Sequence, residues 1–233
     1  MGSGGEILAL AATAAAFGVG HTAANPAHYL PFAAIARSRG WGVGRALALA
    51  AACGAGHVLS SALVGGIGVA LGAGIGSVEA AEEIRESAMR WLFLAFALAY
   101  FAVEVRASFA GRICLCCRGA SAGRAENKGA GGAPAEFSDR ANFWTLFLIF
   151  TLGPCEILAP LVMVPASEGD WAGVVSVAAA FSVSTVATML AMTAAVMFGL
   201  GFVRGGGEFF QKWGRAISGG VVLACAVLLF FEK

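Results

Sequence analysis

Long apolar segments, separated by short polar ones, make up most of this chain. No Asp, Glu, Lys or Arg occurs within 7–36, 46–78 or 171–203. Each of these blocks exceeds the roughly 20 residues that a helix needs to cross the hydrocarbon core of a bilayer. The pattern predicts an all-α integral membrane protein with six transmembrane helices, at about 7–35, 46–75, 88–105, 142–166, 171–202 and 215–231.

The composition agrees with this interpretation. Of the 233 residues, 59% are hydrophobic and 12% are charged, whereas soluble domains carry roughly 25% charged residues. A soluble fold could not bury so much apolar surface, which excludes a soluble enzyme, a nucleic-acid binder and a disordered protein. We expect the lipid bilayer as its surroundings and no enzymatic activity; the oligomeric state, including a homo-oligomer, is left open.

The distribution of charge predicts the orientation. The segments after the first, third and fifth spans hold 12 of the 15 basic residues, and cytoplasmic loops carry such an excess. Eight acidic residues, from Glu6 to Glu232, fall on the other side. We therefore expect a multi-pass protein with both termini non-cytoplasmic. Because the first basic residue is Arg37, we also expect the first span to stay in the mature protein.

The chain divides into two similar halves. Residues 1–107 and 141–233 each contain three predicted spans, and 108–140 is a Gly- and Ala-rich segment expected to form a flexible cytoplasmic loop. With three spans per half, the fourth span crosses in the direction opposite to the first. This arrangement is the condition for a 3+3 inverted-topology repeat.

Prolines mark the first and fourth spans, which hold five of the six in the chain. A proline inside a helix removes a hydrogen bond and clashes with the preceding turn, so both helices should be broken near mid-membrane. Asn25 before Pro26 suits the start of a new half-helix. Ordinary proline kinks are the alternative. The predicted break residues are Pro26, Pro31, Pro154 and Pro160.

The three histidines of the chain, His21, His28 and His57, all fall inside predicted spans. Cys155 and Glu156 stand at the second proline break, and Glu156 is the acidic residue placed well inside a span, where a charge is costly. Imidazole, carboxylate and thiolate together favour a divalent transition metal such as Ni, Co or Zn. Each histidine could instead hydrogen-bond across helices as a packing residue.

Further polar residues share these spans and could line a substrate pathway. Hydroxyls there could equally bond the preceding turn of their own helix. The candidates are Asn25, Cys53, Ser60, Ser61, Ser184 and Thr185.

Three cysteines, Cys114, Cys116 and Cys117, lie in the basic segment after the third span. They could be reduced cytoplasmic thiols, a soft-metal site or sites of lipid attachment. Cys225 in the sixth span is expected to be a packing residue.

Three segments together resemble a known family: GVGHTAANPAHYLPFAAIARSRGW, CGAGHVLSSALVGGIG and TLGPCEILAPLVMVPA. They are similar to the UreH-like, urease-accessory-type membrane proteins, which lie near the nickel/cobalt transporters, sulfite exporters and cytochrome-biogenesis thiol carriers. The resemblance implies a role for His21 and His28, for the Gly56-His57 motif and for Glu156 in binding the metal. Ala27 stands where that family's metal motif has an aspartate, and Cys155 adds a thiol.

These observations favour a secondary transporter of a divalent transition-metal cation, with the ion as substrate and no prosthetic group. His21, His28, His57 and Glu156 would bind near the midplane, with Cys155 joining them. One alternative is a transmembrane thiol-disulfide electron carrier that uses Cys155, with Cys53 as the nearby second thiol. Another is an exporter of sulfite or a similar oxyanion, since the N-termini of half-helices suit anions.

Overall fold

The structure is a computed structural model that describes residues 4–70, 75–116, 139–153, 158–202 and 207–231. Within these ranges all regular structure is helical, and no strand occurs. A short 3-10 helix, Pro26–His28, separates the first two α-helices. The α-helices are α1 Gly4–Ala24, α2 Leu30–Ser38, α3 Val43–Ala70, α4 Ile75–Cys116, α5 Asp139–Leu152, α6 Leu158–Ser167, α7 Trp171–Phe202 and α8 Gly207–Leu228.

Four helices in the described ranges are long and apolar enough to cross a membrane: Gly4–Ala24, Val43–Ile67, Glu83–Phe109 and Trp171–Gly199. Two shorter apolar helices, Ala141–Leu152 and Trp213–Leu228, lie where two further spans were expected. The prediction of an all-helical, multi-pass membrane protein is therefore confirmed at the level of these four helices.

The outer surface of the molecule is apolar while its interior contains polar side chains. On α3, the side chains of Leu59, Leu63 and Ile67 are more than half exposed. Glu104 and Asn142, by contrast, are fully buried. Exposed apolar faces of this kind suit contact with lipid, because a soluble protein rarely exposes large contiguous apolar patches.

The first span is interrupted between Ala24 and Leu30. Asn25 takes an extended backbone conformation, and its side-chain oxygen accepts a hydrogen bond of 3.0 Å from the Ala27 N–H. Pro26 opens the 3-10 helix, and α2 then begins at Leu30. The interruption forms here because an Asn-Pro pair supplies a cap and a residue with no N–H to donate. Pro31 lies in the first turn of α2, where proline is tolerated.

The fourth span also consists of two helices, α5 and α6. The segment between them holds Pro154, Cys155 and Glu156, which lie outside the described residues. Pro160 is the third residue of α6, so it too lies in a first helical turn.

Helix α4 is much longer than the predicted span of 88–105. It begins at Ile75, so the acidic segment 79–86, expected as a loop, is helical. Glu, Ala, Met and Arg are strong helix formers, and Glu86 and Arg90 form an ion pair one turn apart. At its other end α4 includes the backbone of Cys114 and Cys116, whereas Cys117 and the rest of the predicted loop to position 138 lie outside the described residues.

The two halves of the chain interlock. Helix α1 packs along α7, α3 packs against α5 and α7, and α4 packs against α8. Helix α2 lies against α8, and α6 contacts α7 and α3. The main apolar core, which includes Phe32, Tyr100, Leu146 and Val222, thus draws on helices from both halves. This interleaving brings the first-half histidines next to the end of α5.

Candidate functional site

The three histidines form one contiguous cluster at the interruption of the first span. The ring centres of His21 and His28 are 4.9 Å apart, and those of His28 and His57 are 5.6 Å apart. His28 and His57 are buried, and His21 is half-buried. Residues up to 36 positions apart in the sequence therefore meet at one place, as the binding-site hypothesis requires.

Local structure positions each ring. His21 lies in the last turn of α1, and its carbonyl accepts the Asn25 N–H at 3.2 Å. His28 ends the 3-10 helix, and its backbone N–H donates to the Asn25 carbonyl at 3.1 Å. The interruption thus turns the chain so that both rings, one from each side of the break, contact one another.

His57 is held by the end of α5. Its Nδ1 lies 3.2 Å from the Phe150 carbonyl oxygen, which can only accept, so in the neutral ring Nδ1 carries the proton. The lone pair is then on Nε2, which is buried and has no hydrogen-bond partner among the described residues. Gly153 lets the α5 end approach closely, since a Cβ there would lie 3.3 Å from His57 Nδ1. This second-shell arrangement is typical of metal-binding histidines.

His28 presents a similar nitrogen. Its Nδ1 is buried and has no hydrogen-bond partner within the described part of the chain. Buried polar atoms are normally satisfied, so two such imidazole nitrogens in adjacent rings call for an explanation. A ligand that accepts lone pairs, such as a transition-metal ion, would supply one.

The rings meet edge to face, with interplanar angles of 74° and 79°. In this conformation the described ranges contain no group of three His, Cys, Asp or Glu side chains placed to hold a metal ion. The other two predicted ligands, Cys155 and Glu156, lie outside those ranges. The described residues therefore provide part of a ligand set.

The predicted pathway residues divide into two groups. Ser60 and Ser184 hydroxyls donate to carbonyls of their own helices, at His57 and Phe181, over 2.9 Å each. Ser61 and Thr185 are buried, and the Thr185 hydroxyl has no hydrogen-bond partner in the parts of the chain described here. Cys53, one turn before His57, and Cys225 are buried free thiols.

Arg85 is a member of the site that the sequence did not indicate. Its Nη2 donates to the Ser60 hydroxyl at 3.1 Å and reaches the Gly153 carbonyl oxygen at 3.5 Å. Both partners adjoin His57. The signal in the sequence was that Arg85 stands in an otherwise acidic segment, against the charge distribution that predicts topology.

A second buried carboxylate was also missed. Glu104 is fully buried in α4, its Oε2 lies 2.7 Å from Arg215 Nε, and its Oε1 lies 3.4 Å from Arg39 Nη2. The interpretation that isolated Glu156 as the acidic residue inside a span is therefore wrong for Glu104. The signal was its position within the predicted third span. Glu104 is part of an ion cluster, not of the histidine site.

Comparison with protein families, curated proteins and solved structures finds no match for this chain. Its function therefore has to be argued from the arrangement of its own side chains.

Proposed function

We propose that the protein is a secondary transporter of a divalent transition-metal cation of the Ni, Co or Zn class. His21, His28 and His57 bind the ion from the first half, and Cys155 and Glu156 bind it from the second. The observation that carries the proposal is the pair of buried imidazole nitrogens, His28 Nδ1 and His57 Nε2, which have no hydrogen-bond partner among the described residues.

The energetics favour a ligand at this place. Leaving a buried polar atom unsatisfied costs about 1–3 kcal/mol. The His57 ring is held by the Phe150 carbonyl, so Nε2 is oriented before any ligand arrives. Neutral imidazole suits Zn, Ni and related ions, and coordination would satisfy both nitrogens at once.

The spacing of the helices supports an internal repeat of three plus three helices. The ends of α1 and α5, at Ala24 and Leu152, are 128 residues apart. The starts of α2 and α6 and the starts of α3 and α7 are separated by the same 128 residues. Pro26 and Pro154 share this offset too. Insertions or deletions would have broken so constant a register.

The packing follows the same exchange of halves. Helix α1 packs on α7, and its counterpart α5 packs on α3; α2 contacts α8, and its counterpart α6 contacts α4. The offset makes Glu156 the counterpart of His28, and Thr185 the counterpart of His57. A 3+3 inverted repeat places such pairs around one central site.

Alternating access would arise from rocking of the two halves around this site, with the termini on the non-cytoplasmic side. Bringing Cys155 and Glu156 toward the histidines completes a ligand set from both halves. Mixed imidazole, carboxylate and thiolate ligands are also what the resemblance to UreH-like and nickel/cobalt transporters implies.

The test is metal binding by the purified protein. We expect calorimetry with Ni²⁺, Co²⁺ and Zn²⁺ to give binding that weakens at least about a hundredfold in the double variant His28→Ala and His57→Ala. The control is Cys225→Ala, which removes a buried thiol from the core away from the histidines. Unchanged affinity in a folded double variant contradicts the proposal.

A second candidate is an oxyanion exporter, favoured by one observation. The Arg85 guanidinium lies at the site, on the Ser60 hydroxyl and the Gly153 carbonyl, and such a cation suits an anion. A flux assay in proteoliposomes that compares sulfite with Ni²⁺, Co²⁺ and Zn²⁺ separates the two candidates.

A further inference from the structure

Arg85 joins three helices beside the histidine cluster. It belongs to α4, it contacts Ser60 one turn after His57 on α3, and it reaches Gly153 just past the end of α5. Because α3 and α5 come from different halves of the chain, one side chain spans the junction between the halves at the site.

The contacts of Arg85 are to neutral oxygens. A hydroxyl and a carbonyl accept from its guanidinium, and the side chain is half-buried, so water can replace both hydrogen bonds when it withdraws. Such contacts hold an arginine in place without fixing it there. A guanidinium also repels any divalent cation that approaches along the same route.

The position along α4 defines which side Arg85 closes. Glu104 lies 19 residues further along the same helix, about 28 Å away, which is close to the thickness of a hydrocarbon core. Glu104 is surrounded by the arginines of the basic segments, Arg39 and Arg215. Arg85 therefore lies toward the opposite surface of the membrane.

We propose that Arg85 is a gating residue for the histidine site. Its guanidinium, placed between Ser60 and Gly153, closes the site toward the N-terminal end of α4, and it must leave these oxygens before a metal cation can pass. The inference rests on the proposed cation transport, and it adds a built-in positive charge that competes with the substrate until the side chain withdraws.

The first test measures Zn²⁺ affinity by calorimetry on the full-length purified protein. Removing the charge in Arg85→Gln should tighten binding about five- to tenfold, because one repulsive cation is lost. Arg85→Lys keeps the charge and should stay within about twofold of the wild type. The matched control is Arg90→Gln, which removes a charge from the same helix but from an ion pair with Glu86.

The second test needs no metal. Thr151 lies against Gly56, and its hydroxyl is buried. A cysteine introduced as Thr151→Cys should react slowly with a water-soluble thiol reagent, with the labelled peptide identified by mass spectrometry. Adding Arg85→Gln should speed labelling about tenfold, since the opened route admits reagent; adding Arg90→Gln should leave the rate unchanged.

The outcomes separate the two proposals. If the wild type binds none of the metals, the proposed function fails, and the labelling experiment still decides whether Arg85 closes the site. Equal labelling rates with and without Arg85→Gln overturn the gate. Weaker Zn²⁺ binding in Arg85→Gln, or sulfite binding that this variant loses, would make Arg85 part of the binding site and also overturn it.

Discussion

The two ends of α4 solve opposite problems with the same residue type. Near one end, Glu104 is fully buried and contacts two arginines, Arg39 and Arg215, that come from distant parts of the chain. Near the other, Arg85 is half-buried and contacts only neutral oxygens among the interactions described above. The difference suggests a division of labour: the Glu104 end holds helices together, and the Arg85 end can open.

The expected strength of the two arrangements differs for a physical reason. Removing one partner from a buried ion pair leaves an uncompensated charge, which costs about 3–5 kcal/mol. Losing a hydrogen bond to a neutral group costs about 0.5–1.5 kcal/mol, and water can replace it where the donor is accessible. Stability measurements at the two ends therefore test the comparison directly.

The largest effect is expected for Glu104→Ala. Arg39 and Arg215 would then face each other without a carboxylate, and we expect the free energy of unfolding to fall by about 3 kcal/mol, less than the upper range because Arg215 is 35% exposed. Reversible unfolding in mixed detergent micelles measures it. The control is Glu86→Ala, whose ion pair with Arg90 lies near the surface and should contribute less than about 0.5 kcal/mol.

The close packing of α8 on α4 should give the next largest effect. A Cβ at Gly219 would lie 3.1 Å from Phe101 Cα and 3.4 Å from Glu104 Cβ. Gly219→Ala should therefore destabilise the protein by about 1–3 kcal/mol through overpacking.

Gly220 provides the comparison, because its nearest neighbour is a ring carbon of Phe101 at 3.9 Å. Gly220→Ala should be neutral or stabilising, since alanine favours helix by about 1 kcal/mol over glycine. Equal effects at the two positions in the same unfolding assay would mean that α8 does not pack on α4 as described.

A smaller effect is expected for Tyr100→Phe. The Tyr100 hydroxyl lies 2.7 Å from the Ser38 hydroxyl at the end of α2, and removing this bond should cost about 1 kcal/mol. Ser38→Ala removes the same bond, so the double variant should lose less than the sum of the two single losses. Strict additivity in the unfolding free energies would show that the two hydroxyls do not interact.

The smallest effect on stability is expected at the other end of α4. Arg85→Gln should change the free energy of unfolding by less than about 1 kcal/mol, because its two hydrogen bonds are to neutral oxygens and the side chain is half-buried. The same unfolding assay applies. A loss as large as that of Glu104→Ala would make Arg85 a structural anchor and remove the distinction between the ends.

Local features of the sequence were sufficient for part of this structure. The Asn25-Pro26 pair predicts the interruption of the first span, because cap and proline effects act over a few residues. The charge-free blocks likewise predict membrane helices. The placement of all three histidines in spans indicated a cluster, and His28 lies between the other two rings.

The remaining features depend on contacts between distant segments. Arg39 and Arg215 were assigned to loops by charge counting, yet both reach a carboxylate in α4. Arg85 was one basic residue among acidic ones, and only the approach of the α5 end to α3 gives it a role. Pairings of this kind follow from the packing of helices, which no single stretch of sequence encodes.

The ion cluster also has a consequence for the order in which the protein assembles. The chain is made from its N-terminus, so Glu104 enters the bilayer when Arg39 is already present and Arg215 has still to be synthesised. Helix α1 likewise waits for α7, its main neighbour. The first half is therefore held in an incomplete state during synthesis, and the arrival of α7 and α8 both finishes the fold and neutralises its buried charge.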